Sequence, residues 1–382
     1  MNYWLILYII NYTLLFIVAF TTLYLLFFAI ASLFNRHTTI PRAKRQNRFL
    51  VLIPSYRKDK AILNTVSAIL GQTYPQRMFD VTVISDHQSE MTNMRLAQYT
   101  ITLLTPNFEK SSKVKSLQYA MLKLLEFKIY DIVLILDADN IVEPEFLEQM
   151  NDAFEFSGTK AIQAHRVPKN RDTSSARLSS IFEEINNSIF RRGHINVGLS
   201  SALLGSGVAY DFIWFKSNIM KARTNGEDKE LEAMLMRQHI FVDYFDSIHI
   251  YDEKTRETSD FNRKRGRWAT TQLRSIFSNI RFLPSALLSR QYDWADKIIQ
   301  WMLLPRTIAL TIIMFMSVVV PFVRLKAALL WWLLAFFFGL AMAIATPNYM
   351  VDKHWDKDFI TLPIATAGII IRKIRDKFRR KQ

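Results

Sequence analysis

The sequence predicts an α/β domain with a mixed, mostly parallel sheet, flanked by helices that cross a membrane. Short apolar runs alternate with helical patterns between residues 49 and 136, as in sheets built from strand–helix–strand units. Residues 1–34 contain no charged side chain, and about 20 apolar residues suffice to cross the hydrocarbon core of a membrane. Two more uncharged stretches, 307–323 and 327–346, lie near the other end.

The composition fits a chain that is partly embedded in a membrane. Of the 382 residues, 50% are hydrophobic and 28 are Phe, which is rich for a protein made only of soluble domains. The chain has no Cys. This excludes disulfides, zinc–thiolate sites and thiol nucleophiles, and it suits a reducing compartment.

The net charge of +15 is concentrated beside the apolar stretches. Residues 35–48 carry five basic residues and no acidic one, and residues 372–382 carry seven basic residues and one acidic one. Such clusters are typical of charges that set membrane orientation and contact anionic lipids. We therefore expect no nucleic-acid partner. The long middle part should face the cytoplasm, with Met1 on the opposite side.

We expect a multi-pass protein of the cell membrane with five segments. A cleaved signal peptide would begin with basic residues and end at a small-residue cleavage site, and neither is clear here. The segments are a retained transmembrane anchor (1–34), a cytoplasmic domain (35–283), an amphipathic interfacial helix (284–303), a transmembrane hairpin (304–347), and an interfacial segment with a basic cytoplasmic tail (348–382).

Four strands are expected in the first half of the cytoplasmic domain, at residues 49–53, 81–85, 101–104 and 132–136. No Walker loop and no G-x-G-x-x-G precedes a helix, which disfavours P-loop NTPases, ordinary kinases and Rossmann dehydrogenases. Ligands bind at the carboxyl ends of the strands in such sheets. Four residues fall at this edge and form a candidate site: Tyr56, Asp86, Asp137 and Asp139.

Asp137 and Asp139 directly follow an apolar run. Two carboxylates at this spacing can supply hard oxygen ligands to Mg²⁺ or Mn²⁺, which bind few protein groups together with substrate phosphates. An isolated Asp-x-Asp more often only favours a turn. The position after a buried strand shifts the balance towards a metal site.

Three further motifs each have a structural and a functional interpretation. Glu227 and Asp228 begin an expected helix, where carboxylates can be caps or can accept a proton from an attacking hydroxyl. Residues 205–207 (Gly-Ser-Gly) form a tight turn or a loop that lets the backbone approach a ligand. Residues 263–268 hold four cations and Trp268, which form a solvated basic patch or a diphosphate clamp.

In their order along the chain, these motifs resemble glycosyltransferase family 2. Its members are inverting enzymes of the GT-A fold and include cellulose, chitin, hyaluronan and poly-N-acetylglucosamine synthases. The resemblance runs from about residue 48 to residue 268 and continues in the membrane arrangement. It rests on Val-Leu-Ile-Pro-Ser-Tyr at 51–56, Gln-Thr-Tyr-Pro at 72–75, Asp86, Lys113 at a helix start, Asp137-Ala138-Asp139, Leu-Gly-Ser-Gly at 204–207, Glu227-Asp228 and Arg267-Trp268.

The resemblance implies roles for these residues. Asp228 would be the general base, with Glu227 beside it in the catalytic pair, and Asp137 and Asp139 would hold Mg²⁺ or Mn²⁺. The nucleotide sugar would be bound by Pro54, Tyr56, Asp86, Lys113, Asp137, Asp139 and Arg267, and the acceptor by Gly205, Ser206, Gly207 and Trp268.

Two positions depart from the family pattern. Ser112 replaces the glycine of the family's Gly-Lys helix start, and Lys264 occupies the glutamine place of Gln-x-x-Arg-Trp, which is a sign of processive polymerisation. The second departure concerns processivity and acceptor contacts, and it leaves the base and the metal ligands intact.

The function implied is transfer of sugar from a nucleotide sugar, UDP-linked by the resemblance, to a growing polysaccharide or glycan. An alternative is transfer of a single sugar to a polyprenyl phosphate or membrane lipid, which Lys264 and the few spans favour. A third possibility is a degenerate membrane scaffold of a glycan-export complex, against which Asp137, Asp139 and Asp228 argue. With three spans, a homo-oligomer or an export partner would complete the path of an exported product.

Overall fold

The computed structural model describes residues 3–34, 39–124, 129–224, 226–254 and 270–351. The chain divides into two compact units. Unit 1 comprises Met1–Phe34, Ile181–Ile189 and Met302–Gln382, and unit 2 comprises Asn35–Ser180 and Phe190–Trp301.

Within the described residues, unit 2 is built on a mixed sheet of eight strands. They are β1 (Phe49–Tyr56), β2 (Phe79–Asp86), β3 (Thr102–Leu104), β4 (Ile132–Ile135), β5 (Asn140–Val142), β6 (Ala161–Pro168), β7 (Val208–Asp211) and β8 (Val242–Asp252), in the order β3-β2-β1-β4-β7-β6-β8-β5. The first four strands of this order run parallel, and β6 is also parallel to β8. β7 is antiparallel to β4 and β6, and β5 is antiparallel to β8. The predicted mixed sheet is confirmed.

Helices precede, separate and follow these strands. They are α1 (Tyr3–Ala31), α2 (Asp59–Leu70), α3 (Glu90–Leu96), α4 (Lys113–Lys123), α5 (Phe146–Ser157), α6 (Ser174–Asn187), α7 (His194–Asn196), α8 (Phe212–Ile219), α9 (Glu227–Arg237), α10 (residues 270–279), α11 (Leu283–Leu288), α12 (Tyr292–Met302), α13 (Arg306–Val319) and α14 (Leu325–Ala345).

β1 is apolar on both faces because helices cover both sides of the sheet. Alternate residues of a strand point to opposite faces. Leu50 and Leu52 pack in one core with α4, α8, α9 and α12, whereas Phe49, Val51 and Ile53 pack in a second core with α2 and α5. This layering explains why the parallel strands read as continuous apolar runs.

The structure differs from the expected single interfacial helix at 284–303. This segment holds two helices, and α12 buries Trp294, Ile298 and Trp301 in the core that also contains α4 and α9. Lys297 is fully buried, and its ammonium lies 3.5 Å from a carboxylate oxygen of Glu232. An amphipathic pattern shows that one face of a helix is apolar, and for α12 that face meets protein.

The described part of the basic stretch after α1, residues 39–48, is held by contacts within unit 2. Arg42 forms an ion pair with Glu148, and Arg45 lies 2.6 Å from Asp131. The backbone N–H of Ala43 also donates to Asp152 at 2.9 Å. These pairs neutralise part of the charge that the sequence suggested for lipid contact.

Among the described residues, two helices in unit 1 are long and apolar enough to cross a membrane, judged by length and composition: Leu5–Ala31 and Leu325–Ala345. α13 and the 3₁₀ turn after it cover Arg306–Phe322 and extend about 25 Å at 1.5 Å per residue, shorter than the roughly 30 Å hydrocarbon core. A third span is reached only if α12 and α13 count together as one bent span.

α1 and α14 are joined by a polar contact within their apolar lengths. The indole N–H of Trp331, a fully buried residue, donates to the side-chain oxygen of Asn11 at 3.0 Å. Such hydrogen bonds between apolar helices satisfy a polar group that lipid cannot.

Candidate active site

The carboxyl ends of β1, β2 and β4 meet at one edge of the sheet. Tyr56 is opposite Asp86 in the β1–β2 register. Leu52 is opposite Ile135 in the last β1–β4 pair. Pro54 lies beyond that pair, so its missing N–H does not interrupt the β1–β4 ladder. The β1–β4 ladder ends at that pair, and Tyr56, Asp137 and Asp139 follow it at this edge of the sheet.

Asp86 is buried at the end of β2, with 1% of its surface exposed. Its carboxylate contacts a ring nitrogen of His87 at 2.5 Å, and the rings of His87 and Tyr56 are 5.7 Å apart. Tyr56 remains 47% exposed. The group offers an aromatic surface beside a buried carboxylate.

Lys113 connects two of the predicted motifs. Its ammonium donates to the carboxylate of Asp137 and, at 2.6 Å, to the backbone carbonyl of Gly205. Burial works to lower the pKa of Lys113, but the charges of Asp137 and Glu227 outweigh it and raise this pKa. Burial works to raise the pKa of Asp137, and Lys113 and Arg166 outweigh it. Both groups therefore stay charged at neutral pH.

The start of α4 explains one departure from the family pattern. Ser112 is the N-cap of α4, and its hydroxyl accepts the backbone N–H of Lys115 at 3.3 Å. Serine is a favoured N-cap residue. The residue in the glycine place thus fixes the helix start that carries Lys113.

Glu227 and Asp228 begin α9, as predicted. Glu227 is buried, and burial raises its pKa to about 7, with Asp228 adding to the rise and Lys113 opposing it. The two carboxylates also contribute to raising the pKa of the buried Tyr210, after burial itself. A carboxyl with a pKa near 7 can exchange a proton at neutral pH.

The turn that carries Asp137 and Asp139 is held by its neighbours. The N–H of Asp137 donates to the side chain of Asn140 at 2.9 Å, and the Asn140 amide donates to Asp252 at 3.2 Å. Asp139 lies 2.9 Å from the ammonium of Lys58. The carboxylate of Asp252 is in turn bound by Arg166 and Lys254, each at 2.8 Å.

The donor set of this turn fits a divalent ion that is shared with a diphosphate. Each of the two carboxylates attracts a lysine ammonium, and Mg²⁺ or Mn²⁺ would be held by Asp137 and Asp139 together with substrate oxygens. In the part of the chain that the structure describes, no group of three or more His, Asp or Glu side chains could hold a metal.

Gly205, Ser206 and Gly207 reach the same region through a loop before β7. A Cβ atom on Gly205 would lie 3.2 Å from the Lys113 ammonium and 3.7 Å from a Glu227 carboxylate oxygen. Gly207 has φ +65°, and a Cβ there would lie 2.3 Å from Ile250. Only glycine fits that position without strain.

Three predicted site residues, Lys264 in the glutamine place, Arg267 and Trp268, lie outside the described residues.

The sequence analysis did not identify five neighbours of the candidate site. Four of them have partners far away along the chain: Lys58, Gln163, Arg166 and Asp252. The fifth, Asn140, could have been found, since it follows Asp139 directly and Asn favours such turns.

The model of the family described as "Glycosyltransferase like family 2" matches residues 46–271. The solved mannosyltransferase PcManGT from Pyrobaculum calidifontis, in complex with GDP-Man and Mn²⁺, is similar with a TM-score of 0.56 at 13% identity, over 88% of this chain and 96% of that one. The structure of TarS 1-349 of S. aureus, in complex with UDP-GlcNAc, is similar with a TM-score of 0.41 at 15% identity, over 69% of this chain and 86% of that one. No curated protein matches the sequence. At this identity, the likeness to the mannosyltransferase supports the fold alone.

Proposed function

This chain belongs to glycosyltransferase family 2, and we propose that it transfers sugar from a nucleotide sugar, with a UDP sugar as first candidate, to a growing polysaccharide or glycan at a membrane. Its family and its GT-A fold make it a glycosyltransferase, which confirms the resemblance found in the sequence. The observation that carries the proposal is the meeting of Lys113, Asp137, Gly205 and Glu227 in one cluster.

The proposed reaction is a single in-line displacement. The acceptor hydroxyl loses its proton to Asp228, its oxygen bonds to the anomeric carbon, and the bond from that carbon to the diphosphate oxygen breaks. The nucleotide diphosphate leaves and the anomeric configuration inverts. Glu227, with its pKa raised to about 7 by burial, is a second residue that could take the proton.

The chain's own cations support the departure of the diphosphate. Lys113 and Lys58 place ammonium groups at Asp137 and Asp139, where they add positive charge for a leaving phosphate. A bound Mg²⁺ or Mn²⁺ would supply further positive charge at these two carboxylates. On this proposal, Pro54, Tyr56 and Asp86 bind the nucleotide, and Arg267 adds to the phosphate contacts.

The membrane part of the proposal rests on α1 and α14 and on exposed apolar side chains in unit 2. Leu273, Phe277 and Leu288 are 54%, 78% and 86% exposed on α10 and α11. Large apolar side chains exposed in this way fit contact with lipid. With the basic segments on the cytoplasmic side, we propose a multi-pass protein of the cell membrane with its catalytic domain in the cytoplasm.

Transfer of one sugar to a polyprenyl phosphate or membrane lipid is the alternative within the same chemistry, and Gly205, Ser206, Gly207 and Trp268 would then face that acceptor. A homo-oligomer or export partner would be needed for a long exported product. A non-catalytic scaffold is the remaining rival, and the charged cluster at Lys113 argues against it because such a cluster suits chemistry.

The first test uses membrane-embedded protein with Mn²⁺ or Mg²⁺ and labelled nucleotide sugars, including UDP-GlcNAc and GDP-Man. Nucleotide release and product size are both read. A long polymer supports polysaccharide synthesis, a single sugar on extractable lipid supports the alternative, and no release with any donor favours the scaffold.

Asp228→Asn should abolish transfer and keep donor binding. Retained turnover in Asp228→Asn, with loss in Glu227→Gln, would move the base to Glu227.

A further inference from the structure

Residues 203–207, here called the glycine loop, are held by a buried side chain that the proposed reaction does not use. The side-chain oxygen of Gln163 accepts the N–H of Leu204 at 2.8 Å. Its amide nitrogen donates to the carbonyls of Ser206 and Gly207, each at 3.0 Å. Gln163 is fully buried. One side chain therefore fixes both ends of a short loop.

The amide of a glutamine suits this task. An amide side chain accepts and donates hydrogen bonds at once, whereas a carboxylate only accepts and a thioether does neither usefully. Gln163 lies on β6, between β7 and β8, opposite Val208 and Tyr244. Because an interior strand carries the amide, the conformation of the glycine loop is set by the sheet.

The glycine loop also carries a buried hydroxyl. The hydroxyl of Ser206 is buried and has no hydrogen-bond partner within the described ranges. A buried polar group without a partner costs free energy. The three bonds from Gln163 contribute favourably to the same loop conformation.

Two further contacts tie the glycine loop to the candidate site. Its Leu203 N–H donates at 2.9 Å to Glu232, which lies on the helix that begins with Glu227 and Asp228. The carbonyl of Gly205 accepts the ammonium of Lys113. These contacts place the glycine loop beside the residues proposed for proton and phosphate transfer, where an acceptor hydroxyl has to arrive.

We propose that Gln163 is a positioning residue that holds the glycine loop in the form that receives the acceptor, and that it thereby sets the ratio of sugar transfer to donor hydrolysis by water. This inference rests on the proposed function and goes beyond it, because it assigns control of this ratio to a residue outside the reacting groups. A water molecule does not depend on the glycine loop for its orientation. The rate of donor hydrolysis therefore serves as the internal reference for the rate of sugar transfer.

The test compares Gln163→Met with a matched control, Asn151→Leu, in the full membrane-embedded chain. Asn151 is another buried amide that clamps backbone: it accepts the Asn47 N–H at 2.9 Å and donates to the Arg45 carbonyl at 2.8 Å. Label incorporated into product and nucleotide released are measured with UDP-GlcNAc or GDP-Man, whichever the wild type turns over.

For Gln163→Met we expect transfer to fall by roughly tenfold to a hundredfold, as for a small misplacement of reacting groups, with nucleotide release by hydrolysis and the donor KM within about twofold of wild type. Asn151→Leu should keep the wild-type ratio. An equal fall of transfer and hydrolysis in Gln163→Met, or an unchanged ratio, would overturn the proposal.

A second measurement does not depend on turnover. Hydrogen exchange at the Leu204 amide should be faster than in wild type in Gln163→Met and unchanged in Asn151→Leu. Equal exchange in wild type and both variants would overturn the proposal that Gln163 holds the glycine loop. Gln163→Asn keeps an amide but is one methylene shorter, so it should show the same changes if the Met variant does not fold. If wild type turns over no donor, the proposed function fails while the exchange result still decides whether Gln163 holds the loop.

Discussion

Replacement of Glu227 by Gln should stabilise the protein at high pH and change little at low pH. Burial raises the pKa of the Glu227 carboxyl from its ordinary 4.5 to about 7. A carboxyl whose pKa is higher in the folded than in the unfolded state weakens folding as it ionises. The loss begins above about pH 4.5 and is complete once the pH passes about 7.

The size of this effect follows from the pKa. At about 1.4 kcal/mol for each pKa unit, the rise from 4.5 to about 7 corresponds to about 3 kcal/mol of unfolding free energy. Gln is close to isosteric with Glu and does not ionise. Above pH 7 the variant should therefore gain about 3 kcal/mol over wild type, or roughly 5–10 °C in Tm for a domain of this size.

The assay is thermal unfolding of the detergent-solubilised chain at pH 4.5, 6 and 8. The difference in Tm between Glu227→Gln and wild type should grow across this series and then level off. The same difference at pH 4.5 and pH 8 would refute the reasoning, since it would mean that the buried carboxyl titrates in the folded state as it does in the unfolded chain.

Four further outcomes are expected. Gly207→Ala should lose about 2–4 kcal/mol of stability, because φ is +65° and the new Cβ meets Ile250. Gly158→Ala, with φ +62° and nothing within 4 Å, should lose only about 1–2 kcal/mol in the same unfolding assay. Asp252→Asn should destabilise at pH 7, because Arg166 and Lys254 outweigh burial and hold the pKa of Asp252 well below its usual range; the difference from wild type should shrink as the pH falls below about 4. Chelation of divalent ions should stop nucleotide release, and added Mn²⁺ should restore it; release that persists in the chelator would remove the metal from the proposal.

The strands that carry the candidate site can be predicted because each is buried on both faces. β1 and β4 show as apolar runs and β2 as a run rich in Val and Ile, and Tyr56, Asp86 and Asp137 lie at the edge where these strands end. The start of α9 at Glu227 is equally readable, since acidic residues favour a helix N-terminus.

What could not be predicted depends on contacts between distant parts of the chain. Gln163 is an ordinary polar residue in its strand, and its bonds to the glycine loop appear only once β6 lies beside β7. Lys297 reads as the polar side of an interfacial helix, yet it is buried beside Glu232. Periodicity locates the apolar face of α12 and does not say whether lipid or protein covers it.

The bond between Asn11 and Trp331 has a consequence for how the protein is made. The two residues are 320 positions apart, and at 5–20 residues per second a ribosome needs roughly 15 to 60 seconds to make the chain between them. If α1 and α14 span the bilayer as proposed, the Asn11 amide spends that interval in the membrane before its partner exists. Until then, an insertion factor or a second nascent chain has to supply its hydrogen bond, because the hydrocarbon core of the bilayer cannot.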